Sequence, residues 1–218
     1  MMGALANRMR PRVVDCRARP HRRELSLSFD DGPSEWTPPL LDALAEYGAH
    51  ATFFVLGEAV PGREAVLQRA VAEGHELGNH TFGHRDSTEL TDRELRADLM
   101  RAAEAIRAAV GFVPRLARPP YMEDARRFAG IAAALGFRPT VLASVDARDW
   151  DDPTAAPIVA RVLEGAAPGA IVDLHDGIPT RSSRAHPSRT PTVDAILRVL
   201  PELRDRGFDL VTVSELLA

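Results

Sequence analysis

Ser28-Phe29-Asp30-Asp31-Gly32-Pro33 places two adjacent carboxylates at the end of an apolar, strand-like run of Leu25, Leu27 and Phe29. Neighbouring carboxylates repel, so a fold that keeps both needs a cation or a proton beside them. Asp-Asp-Gly-Pro is also good turn chemistry, and the pair alone does not separate the two readings. His80-Thr81-Phe82-Gly83-His84 sets two imidazoles four apart, a spacing that lets both face one metal if the segment turns helically. One Asp with two His makes an N/O ligand set with open positions, which suits a catalytic metal better than a closed structural site. In Arg118-Pro119-Pro120-Tyr121 the prolines stiffen the loop and lack N–H groups, so the Tyr121 N–H is the fixed donor. A rigid turn around a packed Tyr is the plain alternative. Asp146-Ala147-Arg148-Asp149-Trp150 offers carboxylates that anchor a loop or orient a catalytic histidine. His175-Asp176 offers such a histidine: either a structural imidazole or a general acid with an ordinary pKa of about 6.5.

These segments share a setting, since each follows an apolar run that reads as a strand. Strands are expected near Leu25–Phe29, Ala51–Val55, His75–Asn79, Arg115–Arg118, Thr140–Ser144, Ala170–Leu174 and Asp209–Thr212. Helices fall between them. The first runs from Pro38 to Tyr47, with Thr37 as N-cap, and others cover Arg63–Glu73, Asp92–Val110, Ala125–Leu135, Ala156–Ala166 and Val193–Arg206. Thr91 and Glu94 have capping-box spacing, and Gly74, Gly111, Gly136 and Gly207 stand where helices stop. Alternating strands and helices predict a parallel α/β sheet. No G-x-G-x-x-G follows the first strand, and polar residues crowd the C-terminal ends of several strands. That ring-like distribution favours a barrel over an open doubly wound sheet.

The bulk numbers bound the function class. The chain has 218 residues, 45% hydrophobic and 27% charged, with a net charge of −4. A soluble domain with a real core fits this, and nothing points to nucleic acid or a membrane surface. Cys16 is the single cysteine, so there is no disulfide framework. No apolar run approaches the roughly 18 residues of a membrane helix. Residues 1–23 hold Arg8, Arg10, Arg12, Arg17, Arg19, Arg22 and Arg23 and read as an irregular lead-in; residues 24–218 read as one domain. Without an apolar segment of signal-peptide length the chain is expected to be cytoplasmic as written, or exported if its start is truncated.

Taken in order, the five segments resemble the motifs of the polysaccharide deacetylases, the NodB-homology domain of carbohydrate esterase family 4. The resemblance covers residues 24 to 217 and includes the closing Phe208–Leu216 stretch. It implies an irregular (β/α) barrel of about seven parallel strands and a divalent metal, commonly zinc, with cobalt, manganese or nickel as alternatives. By motif, Asp31, His80 and His84 would hold the metal, and Asp30 would be the general base. Arg118 would hold the Asp30 carboxylate, and the Tyr121 N–H would help stabilise the oxyanion. His175 would protonate the leaving amine, oriented by Asp149. Pro120, Tyr121 and Trp150 would line the substrate site. The implied reaction is hydrolysis of N-acetyl groups on amino sugars, in a glycan or a glycosylated small molecule, by a water on the metal.

This chain departs from the pattern in three places. Ser28 replaces a Thr, Met122 stands where a Gly often follows the Tyr, and Asp173 replaces a Leu that packs the acetyl methyl. By strand alternation Ile171, Asp173 and His175 share one face, so Asp173 should point toward the site. It is expected either to change acyl or substrate preference or to pair with a nearby Arg; a one-residue shift would instead put Leu174 in the pocket. His21, His50, His75 and His186 match no motif. Arg181, Arg184 and Arg189 read as part of a solvated loop, with recognition of an anion as the minor alternative, and Met100 reads as core. Two other functions stay open: a related amidase, deformylase or O-acetyl esterase, and a non-catalytic carbohydrate-binding relative. The latter would be expected to lose a ligand or the base.

Overall fold

The computed structural model describes residues 12–15, 22–182 and 186–218. Arg8, Arg10, Cys16, Arg17, Arg19, His21 and Arg184 lie outside the described residues. Nine short strands form the sheet among the described residues: β1 Val13–Val14, β2 Glu24–Asp30, β3 Ala51–Val55, β4 Glu76–Asn79, β5 Leu116–Ala117, β6 Thr140–Val141, β7 Val145–Asp146, β8 Ile171–His175 and β9 Asp209–Leu210. The helices are α1 Thr37–Glu46, α2 Glu64–Ala72, α3 Asp92–Val110, α4 Ala125–Ala134, α5 Ala155–Gly165, α6 Thr190–Asp205 and α7 Val213–Leu217. The strand order is β1-β6-β5-β4-β3-β2-β8-β7, with β9 on β2, and every pairing is parallel. This is the expected irregular (β/α) barrel. No described helix is long and apolar enough to cross a membrane.

Two expectations about the strands need correction. The strand placed at Thr140–Ser144 stops at Val141 as β6, and an unexpected strand, β7, follows at Val145–Asp146. β6 pairs with β5 at one end of the order, and β7 pairs with β8 at the other. One straight strand cannot pair near both ends of the order, so the chain breaks between them. The break leaves the Val141 and Leu142 carbonyls to accept from Arg118, each at 3.4 Å. The lead-in is not wholly irregular either: Val13 and Val14 pair with Thr140 and Val141. A strand of two residues has no periodicity to reveal it.

β2 sits at the centre, and its alternation sorts the two sides of the barrel. Leu25, Leu27 and Phe29 face the main core, packed with α1 and α6. Ser26, Ser28 and Asp30 share the opposite, interior face. The interior is filled by Phe54, Leu116, Val141 and Ile171, and closed by Val213 and Leu216 of α7. The Val213 N–H donates to Thr52 Oγ1 near the start of β3, so α7 plugs the N-terminal end of the strands. The other end stays open. There the parallel register sets Asp30 beside His175, and Ser28 beside Asp173.

Helix ends follow the sequence to within a residue, except that α6 starts at Thr190 instead of Val193 and the cap of α1 differs. Thr91 and Glu94 form the capping box of α3, and Gly111 ends it at φ 84°. Thr37 does not cap α1: Trp36 holds that position without a side-chain cap bond. The Thr37 hydroxyl instead accepts from the Ser34 N–H at 2.8 Å and donates to the Asp176 carboxylate at 2.5 Å. Met100, read as core, is 58% exposed on α3.

Candidate active site

The residues at the end of β2 diverge because Asp31 takes φ 76°. That conformation is unusual for a residue with a Cβ and turns successive side chains apart. It is held from several sides. The Gly32 N–H donates to Asp176 Oδ1 at 3.1 Å, and the Gly32 carbonyl accepts from the Leu56 N–H at 2.9 Å. A Cβ on Gly177 would lie 2.1 Å from the Asp31 carbonyl oxygen, so only glycine lets the loop after β8 press on this turn.

His80 and His84 follow β4 on a loop, not on the helical turn their spacing suggested. Thr81 at φ 71° and His84 at φ 49° bring the two rings together, with centroids 5.1 Å apart. Asn79 Oδ1 accepts from the Thr81 N–H, and Asp98 of α3 accepts from the Phe82 N–H at 2.7 Å. Asp31 Oδ1 then lies 3.6 Å from His80 Nε2 and 3.4 Å from His84 Nε2. His80 Nδ1 donates to the Arg118 carbonyl at 3.0 Å, so its Nε2 presents a lone pair. Burial holds His80 below its ordinary pKa and pushes His84 down to about 2, keeping both imidazoles neutral. Burial likewise raises Asp31, whose Oδ1 has no hydrogen-bond partner. A buried, orphaned acceptor facing two neutral imidazoles fits a divalent cation, with open positions beyond the three ligands.

Arg118, at the end of β5, is fully buried inside the barrel on the face of Phe54, 4.0 Å from the ring centroid. Its NH1 group donates to Asp30 Oδ1 at 2.7 Å and to Asp173 Oδ1 at 3.1 Å. One guanidinium thus holds two carboxylates. Asp173 points into the site and pairs with an Arg, as one sequence alternative had it. Burial and the Asp30 charge push its pKa up to about 7.

His175 ends β8. Its Nδ1 donates to Asp149 Oδ1 at 2.8 Å, and its main-chain N–H donates to Asp149 Oδ2. Thr192 of α6 also donates to Asp149, at 2.7 Å. Asp149 is fully buried, which fixes the ring and turns Nε2 away from it. Burial alone would lower the His175 pKa; the Asp149 charge and hydrogen bond outweigh it and raise it to about 10.

These groups line one cavity of about 480 Å³ at the open end of the barrel. Asp30, Asp31, His80, His84, Asp173 and His175 face it, with Tyr121 and Trp150 at its sides. Tyr121, at φ 58° and 57% exposed, packs edge-on against His84 with centroids 4.6 Å apart. Arg118 and Asp149 lie behind the wall. Two expected lining residues do not reach it. Pro120 is buried and Pro119 lines the cavity in its place; Leu174 points into the main core, as alternation from His175 requires. Arg189 corrects another expectation: it is fully buried, donates through Nε to the Gly177 carbonyl at 2.9 Å, and faces the cavity. Sequence reasoning gave Asp176, Asp98 and Thr192 no role. Their partners lie on other elements, as far away as 144 residues for Asp176, and no local pattern marks them.

The comparisons with known proteins follow the same line. The family model described as polysaccharide deacetylase matches residues 17–140. The chain belongs to the polysaccharide deacetylase family. A chitooligosaccharide deacetylase of Bradyrhizobium is 40% identical over 199 residues, covering 89% of this chain and 90% of the relative. A peptidoglycan-N-acetylglucosamine deacetylase of Bacillus cereus is 39% identical over 198 residues, covering 88% and 87%. Among solved structures, the peptidoglycan N-acetylglucosamine deacetylase Bc1960 aligns with TM-score 0.84 at 31% identity, covering 94% of this chain and 92% of that one. The family 4 carbohydrate esterase of Streptomyces lividans aligns with TM-score 0.75 at 29% identity, covering 89% and 92%. Members of this family depend on a metal, and the Asp31–His80–His84 site of this chain fits one.

Proposed function

We propose that this chain is a metal-dependent deacetylase that hydrolyses N-acetyl groups of amino sugars, in a glycan or a glycosylated small molecule. The observation that carries the reading is the convergence of Asp30 and His175 on one cavity beside the Asp31–His80–His84 cluster. The names of the relatives support the acyl group and the sugar. We infer zinc as the metal, since three N/O ligands with open positions suit it. Cobalt, manganese and nickel accept the same donors.

The geometry supports a division of labour. Asp31, His80 and His84 would hold the metal, which would supply Lewis acidity toward the amide carbonyl and water. Asp30, held by Arg118, accepts a proton from the attacking water as its oxygen bonds to the carbonyl carbon. We assign the Tyr121 N–H as a donor to the carbonyl oxygen as charge develops there. His175 gives its Nε2 proton to the nitrogen as the C–N bond breaks, releasing acetate and a free amine. An amine leaves poorly unless protonated, so base and acid must be separate groups, and here they come from neighbouring strands. Asp149 and Thr192 hold His175 in the tautomer this requires.

The test is acetate release from N-acetylglucosamine oligosaccharides by protein loaded with each metal in turn. Zinc-loaded protein is expected to release acetate and amine in equal amounts. His84→Ala is expected to weaken metal affinity by at least roughly 100-fold, read by metal analysis, and to lose acetate release. Stoichiometric metal with no hydrolysis of any N-acyl sugar would favour the binding-protein reading, which the presence of every ligand and of the base otherwise disfavours.

A further inference from the structure

Asp173 is the one buried carboxylate lining the cavity that neither the ligand set nor the proton-transfer pair uses. It stands two residues before His175 on the same face of β8. A carboxylate oxygen of Asp173, one of Asp30 and a ring nitrogen of His175 all lie within 4.8 Å of one another. Arg118 holds Oδ1. The side chain keeps 9% of its surface exposed, and the cavity is where it is exposed.

The place of Asp173 follows from the three substituents of the reacting carbonyl carbon. In the reaction proposed above its oxygen would face the Asp31–His80–His84 cluster, and its nitrogen would face His175. The third substituent, the acyl chain, is left with the floor between Asp30 and His175, which Asp173 occupies. A plain methyl there would strip a carboxyl group of its last contact with water and return no hydrogen bond. A hydroxyl on the same carbon would donate to the oxygen that Arg118 leaves open.

We propose that Asp173 is a specificity-determining residue that selects acyl groups carrying a hydrogen-bond donor on the α-carbon, hydroxyacetyl being the smallest. The proposal rests on the amide-hydrolase reading above and ranks the N-acyl groups that such an enzyme would take. It is tested with zinc-loaded wild type, Asp173→Leu and Asp173→Asn on paired glucosamine oligosaccharides, N-acetyl against N-hydroxyacetyl. The readout is the ratio of the two kcat/KM values, with metal content and circular dichroism confirming folded, loaded protein. Wild type is expected to favour hydroxyacetyl by about tenfold or more. Asp173→Leu is expected to reverse the ratio. Asp173→Asn keeps an acceptor and is expected to keep the preference at lower rates. A wild-type preference for acetyl overturns the proposal without any variant, and so does an unchanged ratio in Asp173→Leu. Hydrolysis of neither substrate by loaded wild type overturns the amide-hydrolase reading instead.

Discussion

His175 is useful only while it carries a proton and can release it, and Asp149 sets that balance. The two are in direct hydrogen-bond contact at 2.8 Å, and Asp149 has no access to water. The Asp149 charge therefore acts at close range and raises the imidazole against burial. Removing that charge must lower the His175 pKa, because the imidazolium loses its partner while desolvation remains. Asp149→Asn is expected to move the alkaline limb of the kcat/KM profile to lower pH by roughly one to three units. Its rate should fall by roughly 10²–10⁴-fold, the usual worth of a positioned acid. A profile with its alkaline limb in place would show that another group donates the proton. Thr192 tests the same wall: Thr192→Val removes one hydrogen bond to Asp149 and leaves its charge in place, so the limb should move far less than in Asp149→Asn.

At the scale of elements, the site is an assembly of strand ends and the loops after them, and the loops carry the strain. Asp31, Thr81, His84, Tyr121 and Arg148 all have positive φ without being glycine. Gly177 is where two of these loops meet. Gly177→Ala would push a methyl into the Asp31 carbonyl, backbone against backbone, with no side chain free to move aside. It is expected to cost about 1–3 kcal/mol and to weaken metal binding with it, since Asp31 must turn. Equal melting temperature and metal affinity in the variant would mean that the loops are not locked together. This division also explains what was legible in the sequence. The long elements were readable: β2, β3, β8 and α3 carry their period and caps locally, and the motif residues stand at strand ends. The break between β6 and β7 was not, because it answers to the strand order, a property of the whole sheet. Thr37 was misplaced because its partner, Asp176, is 139 residues away. Arg189 looked like one more loop arginine until the fold buried it over Gly177.

On the scale of the whole molecule, the open end of the barrel concentrates negative charge that the fold only partly offsets. Asp30, Asp31, Asp149, Asp173 and Asp176 are all buried. Against these five carboxylates stand Arg118, Arg189 and protonated His175, which leaves two negative charges for a dication to balance. The strain of that excess shows in Asp173 and Asp176, both pushed up to about 7 by burial with Asp30 adding to it. A carboxyl whose folded pKa lies above its unfolded value of about 3.9 supports the fold at low pH. That support is lost as pH rises through about 7. Through these two groups chelated protein should lose stability as pH rises toward about 7. A bound dication offsets the charge and should hold stability up over the same range, aided by weaker proton competition for the histidine ligands. The melting-temperature gap between metal-loaded and chelated protein is then expected to widen with pH. With free metal at a hundred times its Kd, linkage contributes about 2.7 kcal/mol. For a domain of this size that corresponds to roughly 5–10 °C. Asp31→Asn, which removes a ligand, should abolish the gap at every pH. A gap of the same size at pH 5 and pH 8 would mean that the metal stabilises by closing the His80–His84 loop alone, without relieving the buried charge.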